Sequence, residues 1–245
     1  MMKSYKTDKE KKVGEIIEQI FNESQESTEI KLENFTKYVR RQHLKRFITF
    51  YEIYKRILPI KGSIVELGVF RGFSLSAWAK LGAIMEPENI IRKIYGFDTF
   101  DGFVDIHNKD KNEHHEHNVG DFKTDVYEEL NKLNDAFNQD RFLGHINKVE
   151  LIRGDCLETI PKFIEENQHL IVGLLFIDLD LYEPTKVALE NFIPRMHKGS
   201  IIAFDELDNP QWPGETLALL ESMDIKNIKI QTIPGDPYIG FFQLG

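Results

Sequence analysis

Residues 173–215 read GLLFIDLDLYEPTKVALENFIPRMHKGSIIAFDELDNPQWPGE, and this stretch decides the fold. Leu174 to Ile177 is an unbroken apolar run, the pattern of a strand buried on both faces of a parallel sheet. Asp178 and Asp180 follow at once. Pro184 suits the first turn of a helix, where a missing N–H costs little. Val187, Leu189, Phe192 and Ile193 give that helix an apolar side, and Lys198-Gly199 is expected to stop it. Ser200 to Phe204 is a second buried strand, with Asp205-Glu206 at its end.

Asp205 follows Asp178 by 27 residues, about one strand–helix–strand crossover. A right-handed crossover sets the two strands parallel and close, so their carboxyl ends share the sheet edge where open α/β sheets bind ligands. Asp178, Asp205 and Glu206 are therefore expected to converge there. Clustered carboxylates repel unless something positive lies between them, and a hard divalent cation such as Mg²⁺ prefers oxygen ligands. The same acids also suit turns, helix caps and solvated loop ends.

The rest of the chain sets the bounds. With 245 residues and 41% hydrophobic content it has enough material for one large core, and no repeat or low-complexity linker divides it. A net charge of −9 argues against a nucleic-acid partner, which is held by Lys and Arg on phosphates. Cys156 is the only cysteine, which rules out an intramolecular disulfide and suits a reducing compartment. The basic start MMKSYKTDKEKK leads into no apolar run, and no segment approaches the ~18 apolar residues that would span a membrane. These features predict a soluble, cytoplasmic protein with no membrane partner.

Val13, Ile16, Ile17, Ile20 and Phe21 fall at helical spacing, and a longer helix is predicted over 36–57. Its basic residues Arg40, Arg41, Lys45 and Arg46 read as a solvated face. Together they form an N-terminal helical cap over 1–58, ahead of the main domain at 59–245. That domain opens with SIVELGVFRG (63–72): a strand carrying Glu66, then Gly68 and Gly72, then a helix with Leu75, Trp78 and Leu81 inward. Glycine lets the chain turn tightly and a ligand come close. Phe70 stands where a dinucleotide fingerprint would need glycine. KIYGF (93–97) is a strand ending in Asp98, positioned to accept hydrogen bonds from ribose hydroxyls, and VELIRGD (149–155) ends in Asp155-Cys156. Acids thus end five successive strands, each followed by a plausible helix. A helix over 216–223 and strands at 228–233 and 238–244, turning at Pro-Gly-Asp-Pro (234–237), complete a seven-stranded, mostly parallel sheet with an antiparallel hairpin.

VELGVFRG (65–72), YGFDTFDGF (95–103), GDCLETIP (154–161), FIDLDLYEPTKVAL (176–189) and GSIIAFDELDNPQWPGE (199–215) together resemble the macrocin and mycinamicin sugar O-methyltransferase family. These are class I, S-adenosylmethionine-dependent enzymes with a Rossmann-like fold. The similarity is greatest to the calicheamicin rhamnosyl O-methyltransferase branch and spans residues from about 36 to 215. The macrocin branch ends its last strand in two aspartates, where this chain has Asp205-Glu206.

The resemblance implies S-adenosylmethionine as donor. Glu66, Gly68 and Ser74 would take its amino-acid end, Asp98 with Thr99 the ribose, and Asp155 with Cys156 the adenine. It implies a sugar hydroxyl as acceptor, oriented by Mg²⁺ on Asp178, Asp205 and Glu206, with Asp178 or Asp180 receiving the proton. It also implies a homo-oligomer, with which the aromatic helix around Phe47 to Tyr54 agrees. Competing readings are a methyltransferase for a non-sugar hydroxyl, a nucleotide-cofactor oxidoreductase, disfavoured by Phe70, and a non-catalytic binding module. FVDIHNKDKNEHHEHNVGDFKTD (103–125) carries four histidines but reads as a solvated mobile loop lying over the site as a lid. Trp212, with Asn209 and Gln211, suits either a sugar face or a packing anchor.

Overall fold

Strands form where the apolar runs lie. In the computed structural model, which describes residues 7–245, seven strands make one sheet. They are β1 (Ser63–Leu67), β2 (Ile94–Asp98), β3 (Val149–Arg153), β4 (Val172–Ile177), β5 (Met196–Phe204), β6 (Gln231–Ile233) and β7 (Asp236–Gln243). Their order is β3-β2-β1-β4-β5-β7-β6. The first five run parallel, while β7 is antiparallel to both β5 and β6. The chain leaves β1 toward β2 on one side and later returns to β4 on the other. Such a reversal opens a crevice at the carboxyl ends of the two central strands.

The helices are α1 (Asp8–Glu23), α2 (Thr28–Glu33), α3 (Arg41–Ile57), α4 (Phe73–Met85), α5 (Tyr127–Asp140), α6 (Cys156–Glu166), α7 (Tyr182–Phe192) and α8 (Pro213–Ser222). Side chains alternate across a strand, so each strand serves two faces. Val65, Leu67, Leu175, Ile177, Ile202 and Phe204 pack with α6, α7 and α8 through Phe163, Leu189, Phe192 and Leu219. On the opposite face Phe176 meets Phe50 of α3 and Trp78 of α4, with ring centroids 5.5 and 5.8 Å away. Burying each such ring contributes about 1.5–3 kcal/mol, which is why β1 and β4, apolar on both sides, are buried throughout.

The chain divides into two compact units, one up to Ile48 and one from Thr49 to Gly245. The division falls inside α3, earlier than the 58/59 boundary expected from the sequence. From Thr49 onward α3 belongs to the core through Phe50, Ile53, Tyr54 and Ile57. Among the described residues no helix is long and apolar enough to cross a membrane.

Several local expectations change. The helix predicted over 36–57 is α3, which ends at Ile57 as expected but starts only at Arg41, after α2 and a 3-10 turn at Phe35–Lys37. Asn34 closes α2 by donating to the Ile30 carbonyl (2.9 Å), and the turn brings Tyr38 edge-on to Phe21 at 4.9 Å. α7 starts two residues ahead of Pro184, and it ends at Phe192, well before Lys198-Gly199, because Pro194 converts the next turn to 3-10. β5 then begins at Met196. β6 is shorter than the predicted 228–233, starting at Gln231, and a 3-10 turn over Ile225–Asn227, capped by Asp224 accepting from Lys226 N (3.1 Å), precedes it. The helix expected after β2 is α5, which starts only at Tyr127, beyond the 103–125 segment.

Candidate active site

The ladder continues past the formal strand ends and fixes the acid-bearing residues in neighbouring rows. Gly68 N donates to Phe97 O, Asp178 N to Leu67 O and Asp205 N to Ile177 O, at 2.9, 2.9 and 3.0 Å. Gly68 has φ +88°, and a Cβ there would lie 1.8 Å from the Asp178 carbonyl oxygen. The glycine is thus demanded by the approach of β1 and β4, a reason separate from room for a ligand.

At this edge lies a cleft of about 1020 Å³, counted to its open mouth. Its lining includes Asp98, Asp105, Asp110, Asp155, Asp178, Asp180 and Glu183, and no lysine or arginine among the described residues. Low-dielectric walls focus the field of such charges, so the cleft favours a cationic ligand. Gly68, Thr99 and Cys156 also line it.

Asp98 holds two loops together. Its Oδ2 accepts from Phe70 N at 2.7 Å and its Oδ1 from Phe100 N at 2.6 Å, while burial raises its proton affinity. Phe70 sits at φ +50°, a left-handed backbone that costs a non-glycine residue about 1–2 kcal/mol. Its ring lies in the cleft wall edge-on to Phe122, at 5.8 Å. Thr99 Oγ1 donates to Gly102 O (2.8 Å). Asp155 caps α6 by accepting from Leu157 N (2.9 Å). Burial pushes the Cys156 thiol well up, which removes it as a nucleophile. Glu66 and Ser74 lie behind the wall, outside the lining. Ser74 Oγ donates to Glu66 Oε1 at 2.8 Å, and full burial lifts the Glu66 carboxyl to about 8. The Trp78 indole N–H lies close enough to favour the anion without completing a well-aligned hydrogen bond.

Asp178 and Asp180 both reach the cleft; Asp205 and Glu206 lie outside its lining, at the end of the neighbouring strand. Asp180 occupies φ +62°. Burial, then the charges of Glu215, Glu206, Asp205 and Asp110, raise its proton affinity strongly. Glu215, which the sequence reading passed over, is fully buried, and burial and Asp178 push it the same way. The oxygen donors suit a hard cation in chemistry. Among the described residues, however, no group of three or more His, Cys, Asp or Glu is gathered to hold a metal. Like charges keep apart, and the Glu206 carboxylate accepts a hydrogen bond from Asn209 Nδ2.

The 103–125 segment forms one wall of the cleft through Phe103, Val104, His107 and Phe122. Most of the segment is exposed, but it is anchored at Asp110, Thr124 and the histidines that meet Trp212. Trp212 is buried, with His117 stacked on it at 4.2 Å and His115 and Phe122 at 5.4 and 5.7 Å. Asn112 Nδ2 donates to Gln211 O (3.0 Å) and His117 Nε2 lies 3.0 Å from the same oxygen. Trp212 is therefore the packing anchor of this wall. Its pairing with histidines separated by almost a hundred residues leaves no mark in local sequence pattern.

An open α/β sheet with order 3-2-1-4-5-7-6 and an anionic, ribose-suited cleft at the β1/β4 switch defines a class I methyltransferase. A family described as a methyltransferase domain matches residues 65–207. Of solved structures, CalS11, a calicheamicin methyltransferase, is 33% identical with a TM-score of 0.93, over 98% of this chain and 95% of that one. A second structure of CalS11, described as a TDP-rhamnose 3'-O-methyltransferase without ligand, gives 32% and 0.85 over 98% and 96%. The O-methyltransferase NovP shares the fold at 20% identity and TM-score 0.56, over 82% and 79%. Among curated proteins none matches. The chain belongs to this methyltransferase family, and it is an S-adenosylmethionine-dependent O-methyltransferase.

Proposed function

We propose that the enzyme methylates a hydroxyl of a deoxysugar, carried by a nucleotide or a glycoside, with help from a divalent cation such as Mg²⁺. The observation that carries this reading is that Asp178 and Asp180 face the same cleft as Asp98 and Asp155. Donor and proton acceptor would then meet in one chamber. The sugar follows from CalS11, whose description as a TDP-rhamnose 3'-O-methyltransferase comes with similarity over nearly the whole chain.

In this reading Asp98 and Thr99 bind the donor's ribose, and Asp155 and Cys156 border its adenine. Gly68 passes beneath it, and Glu66 with Ser74 supports the amino-acid end from behind the 68–72 loop. The anionic lining attracts the sulfonium and ammonium groups. Transfer needs the acceptor oxygen ~3–3.5 Å from the methyl carbon and in line with sulfur, so positioning dominates the rate. The hydroxyl proton passes to the carboxylate of Asp178 or Asp180, whichever lies within hydrogen-bond reach. Asp178, Asp205 and Glu206 are the residues that would hold Mg²⁺, which when bound supplies Lewis acidity to the acceptor oxygen. The experiment is incubation with labelled S-adenosylmethionine and Mg²⁺ against nucleotide sugars, glycosides and catechols. Label on a sugar hydroxyl is expected; label on catechols alone would transfer the assignment to non-sugar hydroxyls.

A further inference from the structure

The short link from β4 to α7 carries Asp180, and its backbone hangs from two carboxylates that belong to other segments. The N–H groups of Leu179 and Asp180 both donate to Glu215 Oε1, at 2.8 and 3.0 Å. Tyr182 N donates to Asp110 Oδ1 at 2.7 Å. The second oxygens reach further afield: Glu215 Oε2 accepts from Glu206 N (3.3 Å), and Asp110 Oδ2 accepts from His107 N (3.1 Å). Glu215 comes from the first turn of α8, Asp110 from the wall after β2. They are 0% and 1% exposed.

Neither arrangement is cheap. A carboxylate taken out of water is costly, and here Asp178 and Asp205 act on Glu215 and Glu183 on Asp110. A hydroxyl or amide could satisfy these N–H groups with a smaller desolvation cost. The chain also reserves space for the pair, since a Cβ on Gly214 would lie 2.3 Å from Asp110 Oδ1 and 2.4 Å from Tyr182 N. What the pair secures is the left-handed backbone of Asp180 at φ +62°, a conformation that persists only when its surroundings over-determine it.

We propose that Glu215 and Asp110 are positioning residues for methyl transfer: together they fix the backbone of 179–182, so that the Asp180 carboxylate stays aimed into the cleft. Glu215 extends the same hold to Glu206, and Asp110 couples it to the wall built from 103–125. The proposal rests on the methyl-transfer reading above, and its test separates the two.

The test pairs amide hydrogen exchange with steady-state kinetics in E215Q, E215A, D110N and D110A. In the unsubstituted protein the Leu179, Asp180 and Tyr182 amides should exchange slowly despite lying in a loop. E215Q keeps one acceptor oxygen for the Leu179 and Asp180 pair and turns its amide toward Glu206 N–H. Exchange should then quicken mainly at Glu206, with a modest fall in kcat. E215A should free all three amides and lower kcat on the order of 10²-fold, the penalty of a misplacement near 1 Å. D110A should free Tyr182 and His107 and lower kcat similarly, while D110N retains part of it. Glu215 lies outside the cleft lining, so in E215Q and E215A the Kd for S-adenosylhomocysteine should stay unchanged. Undiminished kcat in E215A and D110A, or donor affinity falling in step with kcat in E215A, would overturn the positioning role. An unsubstituted protein that transfers no methyl group at all would sink the transfer reading and the catalytic half of this proposal with it.

Discussion

Asp98 accepts from the Phe70 and Phe100 amides, so the carboxylate proposed to take the donor's ribose is already oriented. Asp98→Ala should weaken S-adenosylmethionine by about 1.5–3 kcal/mol, the range for hydrogen bonds to a charged group. Calorimetry checks this, and unchanged affinity would remove the ribose from this position. Glu66 gives a prediction on stability. Burial carries its carboxyl from the ordinary 4.5 to about 8. Between those values the folded protein keeps a proton that the unfolded chain has released. The contribution of Glu66 to stability is therefore full below about pH 4.5 and is lost as pH rises toward 8, by a few kcal/mol in order of magnitude. Glu66→Gln removes this titration, so its stability should fall less than that of the unsubstituted protein between about pH 5 and about pH 9 in urea midpoints. Parallel profiles would mean that Glu66 ionises freely in the folded state.

Among the elements, the tightest constraint is the close approach of the parallel strands β1 and β4 just past their ends. Gly68→Ala would set a methyl group 1.8 Å from the Asp178 carbonyl oxygen in a left-handed backbone. Overpacking of this kind costs about 1–3 kcal/mol, and here the neighbour that must give way is backbone. A lowered urea midpoint with methyl transfer abolished is expected; wild-type stability would refute the close approach. The elements also separate what sequence discloses from what it conceals. β1, β2 and β4 were legible because each is a short apolar run ended by an acid, and a parallel central strand needs little else. Asp98, Asp155 and Asp178 were legible for the same reason: a strand end is a local feature. Glu215 and Asp110 were not, because they act on backbone groups 36, 35 and 72 residues away. The 103–125 segment is largely exposed, as its polar composition suggests, but its anchoring on distant Trp212 leaves no local mark. The break before α3 was missed because the contact of Tyr38 with Phe21 overrides helical spacing.

For the whole molecule, two expectations remain as proposals. The first is self-association. Phe50 and Tyr54, which suggested an aromatic contact helix, are buried within the core. Ile16, Ile20, Ile30, Leu32 and Phe35 are exposed in the N-terminal unit, and apolar surface on that scale commonly marks an interface. Light scattering at micromolar concentration should give a multiple of the chain mass; a monomeric mass would end the idea. The second proposal concerns how the molecule divides its labour. The proposed donor contacts are Asp98 and Asp155, while Asp178, Asp205 and Glu206 sit at the ends of β4 and β5, so binding and transfer should be separable. The most direct test follows both at once, measuring S-adenosylhomocysteine binding by calorimetry and label transfer to a responsive sugar, with Mg²⁺ and then with EDTA. The account predicts that EDTA stops transfer and leaves binding intact, that Mg²⁺ restores transfer, and that Ca²⁺, with its longer bonds, restores it poorly. Full transfer in EDTA by protein free of bound metal would contradict it, leaving the acids at the ends of β4 and β5 to act without a cation.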